Sequence, residues 1–550
     1  MTQGARALLR TLTDAGVTVC FTNPGTSEMH AVAALDAEPA MRAVLTLFEG
    51  VATGAADGYA RMLGRPAATL LHLGCGLGNG LANLHNARKA RVPLLNIVGD
   101  HATSHQGYDT PLQSDIVTVA RNVSSWVRSA STSATLCDDV LDALDAAQGP
   151  PGRVATLIVP ADVSWSDGAQ PRRRTAAPPP PVVDDAVIDA VAHALRHAGR
   201  GALLLGGRAL REPALQLAAR IAQHCGARLF AEVFPARMQR GAGLPAVERL
   251  AYLPELARLQ LAAIDTLVRI DAGAPVSFFA YPGKPSELVA PACAVHALTA
   301  PEHDPGDALR RLAERLGATA PAPLQPARRP PSPRGRLSAD KVCKAIGHLL
   351  PEDAILVDEA QTSGLMLPYY TAGAPRHDVL TLTGGAIGQG LPLAVGAAVA
   401  CPQRPVLALV GDGAAMYTPQ ALWTMARERL NVIAVVFDNR AYAILDLELQ
   451  RVGVHAAGAR ARAQFALTAP ELDFVRIAEG MGVPAVRATT ADAFVAALQH
   501  ALDTPGPHLI DAVVPPTLAG LKLRLLPRVL DSLASLPAPL AQAIRRRVAP

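Results

Sequence analysis

GDGAAMYTPQALWTMARERLNVIAVVFDN, residues 411–439, is the stretch from which the fold can be read. It reads as a strand end, a tight glycine turn, an amphipathic helix, a second strand and a polar pair at that strand's carboxyl end. The flanking runs PVLALVG and NVIAVVF are continuously apolar rather than alternating, as expected for parallel strands covered on both faces. In a parallel α/β sheet this unit puts Asp412 and Asn439 side by side at the carboxyl edge, where such sheets bind ligands. A carboxylate beside an amide oxygen is a hard pair suited to Mg2+, which keeps water and phosphate in its remaining positions. Gly413 lets the backbone approach a phosphate, and the NH groups of the helix start, Ala414 included, are expected to face it. Taken alone, the stretch could also be a generic strand–helix–strand unit with a tight turn.

The same alternation runs through the chain. GVTVCFT, AATLLHL, PLLNIVGD, GALLLGG and AILVDEA are further strand candidates, separated by Ala-rich helical patterns such as 50–60, 190–198, 213–225 and 338–350, the last with Ser338 as N-cap. Two Pro-rich stretches, 167–185 and 318–336, are suited to extended connectors. They separate blocks 1–166, 186–317 and 337–520, followed by a tail at 521–550 that closes over the site or ends in solvent. The expected fold is three α/β domains, each a doubly wound parallel sheet.

Composition narrows the function. The 550 residues are 50% hydrophobic and 18% charged, which excludes a disordered chain. A net charge of +4 gives no electrostatic grip on nucleic acid or an anionic membrane, so a small-molecule partner is expected. The seven cysteines form no Cys-x-x-Cys motif, the N-terminus lacks a signal-peptide core, and the longest uncharged apolar run, 391–402, is too short for a membrane span. A reduced, cytoplasmic setting is expected.

The spacing of GDG and the downstream Asn resembles the signature of thiamine diphosphate-dependent enzymes. The resemblance assigns Asp412, Asn439 and the main-chain oxygen of Ala441 to Mg2+; Asp438 departs from the usual Asn. Upstream, in LTLTGGAIGQGLPLAVGAA, Ile387 matches the bulky residue that props the cofactor into its bent form, and Gly385 the carbonyl that meets its amino group. In TLFEGVATGAADGYAR, Glu49 resembles the carboxylate that supports proton transfer at the aminopyrimidine. A Glu at a helix start is by itself more often a dipole-favoured surface acid. Nearly the whole chain fits the order of pyrimidine-binding (1–166), central (186–317) and diphosphate-binding (337–520) domains in the acetolactate synthase, pyruvate decarboxylase and benzoylformate decarboxylase group. That group implies a homodimer or homotetramer with active sites at the dimer interface.

Within the group, Thr26 and His72 match a serine and a histidine of benzoylformate decarboxylase, whereas the central-domain histidine of that enzyme has no counterpart in APVSFFAYPG (274–283). His72, His101, His105 or Tyr442 could complete a proton relay. Ile444 and Leu445, with Tyr442, are expected to wall the substrate side chain. The central domain lacks the segments that hold FAD in flavin-containing relatives, so thiamine diphosphate and Mg2+ are the cofactors expected. The resemblance implies decarboxylation of a 2-oxo acid through an enamine, with carboligase capacity. The alternatives are an acetolactate synthase-type transferase and a catalytically silent binding or regulatory subunit.

Overall fold

The computed structural model describes residues 3–174, 179–454 and 457–516; the C-terminal tail expected at 521–550 lies outside them. Three sheets carry the fold. The first contains β1 (Val19–Asn23), β2 (Arg42–Leu45), β3 (Ala68–Leu71), β4 (Leu94–Asp100), β5 (Trp126–Ser129) and β6 (Val154–Pro160), in the order β2-β1-β3-β4-β6-β5 and parallel throughout. The second contains β7 (Gly201–Leu205), β8 (Arg228–Ala231), β10 (Glu248–Arg249), β11 (Thr266–Ile270) and β12 (Ala294–Ala297), also parallel, in the order β10-β8-β7-β11-β12. The third, β17-β18-β16-β15-β13-β14-β9, uses β13 (Ala354–Glu359), β14 (His377–Thr381), β15 (Val406–Gly411), β16 (Val432–Asp438), β17 (Ala485–Ala488) and β18 (His508–Val513). Its edge strand β9 (Met238–Arg240) comes from the middle block and pairs antiparallel with β14. Three residues carry too little periodicity to announce a strand, so sequence reading does not find β9.

The parallel order gathers the candidate residues at common sheet edges. β2, β1, β3 and β4 end side by side and hand their chains to Glu49, Thr26, His72 and His101. β13, β15 and β16 end side by side at Glu359, Asp412 and Asn439, with Gly411 registered against Phe437. Ser338 caps the helix Ala339–Leu349 by accepting from Lys341 N, as its position predicts.

The first and third sheets are joined through two small-residue helices, Glu49–Leu63 and Gly390–Ala400. They cross backbone to backbone: a Cβ on residue 396 would stand 1.8 Å from Ala55 O, and one on residue 58 would stand 2.1 Å from Leu393 O. One apolar core continues across the crossing, from Val51 and Ala55 to Leu393 and Val410. Beside it Arg61, fully buried, bonds Asp57 through Nε and Nη2 at 2.8 Å each, Thr381 O at 2.7 Å, Ala236 O at 3.1 Å and Thr383 Oγ1 at 2.9 Å. Asp57 also accepts from Gln389 Nε2 at 2.7 Å.

Gly396→Val should therefore force the helices apart and cost at least about 1–3 kcal/mol, the range for overpacking a filled interface. Differential scanning calorimetry checks this against Gly480→Ala, where the added Cβ meets nothing within 4 Å. Equal melting temperatures would show that the crossing yields.

Candidate active site

At the edge of the third sheet, Asp412 is buried immediately after β15. Its Oδ1 accepts from Gly413 N at 2.8 Å and its Oδ2 from Ala441 N at 3.3 Å; the same Ala441 N–H donates to Asn439 Oδ1 at 3.0 Å. One amide thus holds the carboxylate and the carboxamide together. Arg440, between Asn439 and Ala441, adopts φ 61°, an uncommon conformation for a residue with a long side chain and of the kind that collects at functional sites. Burial pushes the Asp412 carboxyl above its ordinary range, and neighbouring backbone NH groups oppose the shift. Burial and the carboxylates of Asp511 and Asp412 push Asp438 up to about 6. Asn439 Nδ2 also reaches Ser363 Oγ at 3.4 Å.

Among the described residues no three His, Cys, Asp or Glu side chains are grouped so that they could hold a metal ion between them. A cation here would take one carboxylate, one amide oxygen and the Ala441 carbonyl, a donor set that fits Mg2+ with its remaining positions left to water and phosphate. The neighbour found at Gly413 is the Tyr442 ring, whose Cε1 lies 2.1 Å from where a Cβ would stand. The turn after Gly411 is itself one helical turn, Asp412–Ala415, and the longer helix starts at Gln420.

The Ile387 turn is gripped from below. Gly385 and Gly388 have φ 76° and 92°, which only glycine adopts cheaply. Glu359, fully buried, accepts from Gly388 N at 2.8 Å and Gln389 N at 3.1 Å on Oε1, and from Gly390 N at 2.7 Å on Oε2. Burial lifts its carboxyl to about 7 against those three donors. Sequence reading missed Glu359 as more than a strand end; the available signal was an acid closing an otherwise apolar run.

At the edge of the first sheet, Glu49 opens the helix Glu49–Leu63, is buried, and accepts from Asn79 Nδ2 at 3.0 Å on Oε2. Gly76 lies against Oε1, where a Cβ would approach to 3.0 Å. His72 Nδ1 lies 2.8 Å from Glu28 Oε2, which also accepts from Gly25 N at 2.7 Å. The Thr26–Glu28 turn is thereby held against His72, and a Cβ on residue 25 would stand 2.5 Å or less from the imidazole. Glu28 is a second residue that sequence reading passed over, although it lies in the quoted loop. Burial raises its carboxyl, the Gly25 N–H and His72 oppose this, and its buried Oε1 has no hydrogen-bond partner. Leu73, next to His72, has φ 49°. On the loop after β4 the His105 ring instead lies tilted between those of His101 and Tyr108, with centroids 5.5 Å from each, and His101 Nε2 meets Thr110 Oγ1 at 3.2 Å.

The two edges meet within one chain. Asn83 Nδ2 donates to Gly50 O at 2.8 Å and to Gly388 O at 3.4 Å, Asn86 Nδ2 to Ala386 O at 2.8 Å, and His85 Nε2 lies 3.1 Å from Gly384 O. Glu49's helix is thus tied to the turn that carries Ile387. Ile444 is half-buried at the start of the helix Ala443–Arg451, and neighbouring Leu445 is exposed.

The chain matches the thiamine pyrophosphate enzyme N-terminal TPP-binding domain over residues 2–121 and the C-terminal TPP-binding domain over residues 358–512. Across 93% of its length and 99% of the relative's, it is 56% identical to a Mycobacterium tuberculosis protein provisionally named acetolactate synthase large subunit IlvX. It is 29% identical to benzoylformate decarboxylase of Pseudomonas aeruginosa over 90% of its own length and 96% of that enzyme's. A solved structure from Mycobacterium smegmatis, provisionally described as a thiamin diphosphate-dependent enzyme, superposes with a TM-score of 0.80 at 26% identity, covering 94% of this chain and all of that one.

Glu359→Gln keeps the two acceptor bonds of Oε1 but turns an amide NH2 onto Gly390 N–H, a loss of about 1–3 kcal/mol. The wild-type carboxyl titrates at about 7 in the fold against an ordinary 4.5, so the folded chain keeps a proton that the unfolded chain has lost. Stability from this group is present in full below 4.5 and lost as pH rises through 7. The melting temperature of the wild type should exceed that of the variant most near pH 4.5, with the gap narrowing toward pH 7; a pH-independent gap would contradict the burial of an ionising carboxyl.

Proposed function

The chain belongs to the thiamine pyrophosphate enzymes, and from that premise we propose that it decarboxylates a 2-oxo acid, with Mg2+ as the second cofactor and with capacity to join the resulting acyl group to a second carbonyl compound. The observation that carries this reading is the single Ala441 N–H that holds Asp412 and Asn439 together, on a sheet edge tied to the helix of Glu49. Bound thiamine diphosphate supplies the nucleophilic carbon and the electron sink for loss of CO2.

The protein's part follows from its own residues. Asp412, Asn439 and the Ala441 carbonyl hold the cation, with Gly413 and Ala414 beside the diphosphate. Gly385 and Ile387 form the turn that receives and bends the cofactor, and Glu359 keeps that turn rigid. Glu49, buried and fixed by Asn79, holds and returns the proton of the aminopyrimidine ring. His72, set by Glu28, and Thr26 stand at the next strand ends, where a proton can be delivered to the product carbon. Tyr442, Ile444 and Leu445 lie on the segment leaving the metal ligands and wall the substrate's side chain. The proposed domains are pyrimidine-binding (1–166), central (186–317) and diphosphate-binding (337–520), separated by the two connectors.

A homodimer or homotetramer with sites at the subunit interface is part of the proposal. Large apolar side chains exposed in one chain, Leu47, Leu365, Met416, Tyr417 and Leu445 among them, lie beside the site segments in sequence, a pattern that a second copy would cover. The seven cysteines are all unpaired, which favours the cytoplasm. No helix among the described residues is long and apolar enough to cross a membrane.

The transferase reading is favoured by the name of the 56%-identical relative, and the product separates the two. In a proton NMR time course with thiamine diphosphate, Mg2+, pyruvate, branched 2-oxo acids and benzoylformate, an aldehyde marks a decarboxylase, and acetolactate from pyruvate marks the synthase. Consumption of none of them would contradict both. Glu49→Gln should retain cofactor binding while turnover falls at least about 100-fold, the scale of a lost general acid–base group; near-normal turnover would remove Glu49 from the chemistry.

A further inference from the structure

Arg451 ends the helix Ala443–Arg451, which leaves the candidate metal site through Ala441 and Tyr442. Its side chain is 1% exposed, and its Nη2 donates to both oxygens of Glu255 at 3.1 Å. Nη1 donates to Tyr281 Oη at 2.8 Å and to Glu448 Oε1 at 3.1 Å, and the guanidinium lies 3.8 Å from the centroid of the Tyr281 ring. Tyr281 in turn donates to Glu448 Oε2 at 2.8 Å, and Lys284 Nζ to Glu255 Oε1 at 2.6 Å. Two acids and two bases balance in one cluster, drawn half from the third-sheet helix and half from the middle block. A planar fork stacked on an aromatic ring is a role that lysine, a point charge, fills only in part.

The segment just before Tyr281 reaches the catalytic turn. Residues 275–288 fold back as a hairpin, with Ser277 N donating to Ser286 O at 2.7 Å and Leu288 N to Pro275 O at 3.0 Å. Phe278 stands over Gly385, its Cζ 2.5 Å from where a Cβ on that residue would lie. Phe234, Tyr252 and Phe279 surround its ring with centroids 5.8, 5.5 and 4.9 Å away. Phe278 is nonetheless 43% exposed, so one face of the ring looks into open space beside the turn that carries Ile387.

We propose that Arg451 is a positioning residue: by pinning Glu255 and Tyr281 it holds Phe278 against Gly385, and Phe278 bounds the space available to the side chain of the 2-oxo acid. The latch stands on the geometry alone, whereas the role of Phe278 rests on the 2-oxo-acid function proposed above. Removing the guanidinium leaves Glu255 to Lys284 and Glu448 to Tyr281 but takes away the group that joins both acids and the Tyr281 ring, so the hairpin should open while the sheet core stays closed.

The test combines hydrogen exchange with kinetics on the full-length chain. Arg451→Met should speed amide exchange across 274–284 at least about tenfold, with β15 and β16 unchanged as the folding control, and Arg451→Lys should restore part of the protection. Tyr281→Phe, which removes only a hydroxyl, serves if Arg451→Met fails to fold, and it should shift exchange in the same segment. Phe278→Ala should leave exchange at 281–284 as in the wild type yet raise the kcat/KM ratio of bulky over small 2-oxo acids about tenfold or more, mainly through KM. Arg451→Met should move that ratio in the same direction, and Arg451→Lys should return it partway. Wild-type exchange across 274–284 in both Arg451→Met and Tyr281→Phe would overturn the latch, and an unmoved ratio in Phe278→Ala would overturn the wall. If the wild type consumes no 2-oxo acid, the functional reading and the wall fall together, while exchange still decides the latch.

Discussion

Arg61 is the constraint on which the rest of the molecule depends. A guanidinium with no access to water must have its charge met by a carboxylate and its remaining donors met by fixed oxygens. Asp57 meets the charge, and Thr381, Thr383 and Ala236 meet the donors, so one side chain ties the Glu49 helix to the third sheet and to the middle block. The glycine-lined crossing lets the backbones approach closely enough for these bonds to form. Without that fit the first and third sheets would lose the contact that fixes one against the other.

The two sheets present different groups at their edges. The first sheet presents Glu49 with Asn79, and His72 with Glu28, the groups to which the proposed function gives proton transfer. The third presents Asp412 and Asn439 joined by one amide, the pair to which the proposal gives the metal, with Glu359 bonded to the turn that carries Ile387. Both sets sit at carboxyl ends of adjacent parallel strands, the place where an open α/β sheet can present loops without disturbing its core. Left-handed backbone at Leu73, Gln361 and Arg440 falls in these same segments, beside His72, Glu359 and Asn439.

Much of this is legible in the sequence because parallel strands buried on both faces are written as unbroken apolar runs. VLALVG and VIAVVFD appear as β15 and β16 with the ends that their composition implies, and Ser338 caps its helix. What escapes are features that depend on distant partners. β9 is three residues that become a strand only because β14 offers an edge. Glu359 and Glu28 look like ordinary acids until the turn and the imidazole that they grip are folded against them. Gly413 and Gly385 signal a close approach, but the approaching groups are the rings of Tyr442 and Phe278, which no local pattern could name.

The most direct measurement is a calorimetric titration of thiamine diphosphate into the full-length protein, with Mg2+ and then with the divalent cation removed by chelation, for the wild type and Asp412→Ala. Saturable binding that requires Mg2+ in the wild type and disappears in Asp412→Ala is the predicted result. Binding of equal strength in the variant, or in the chelated protein, would contradict the assignment of the Asp412–Asn439 pair to the metal that anchors the cofactor.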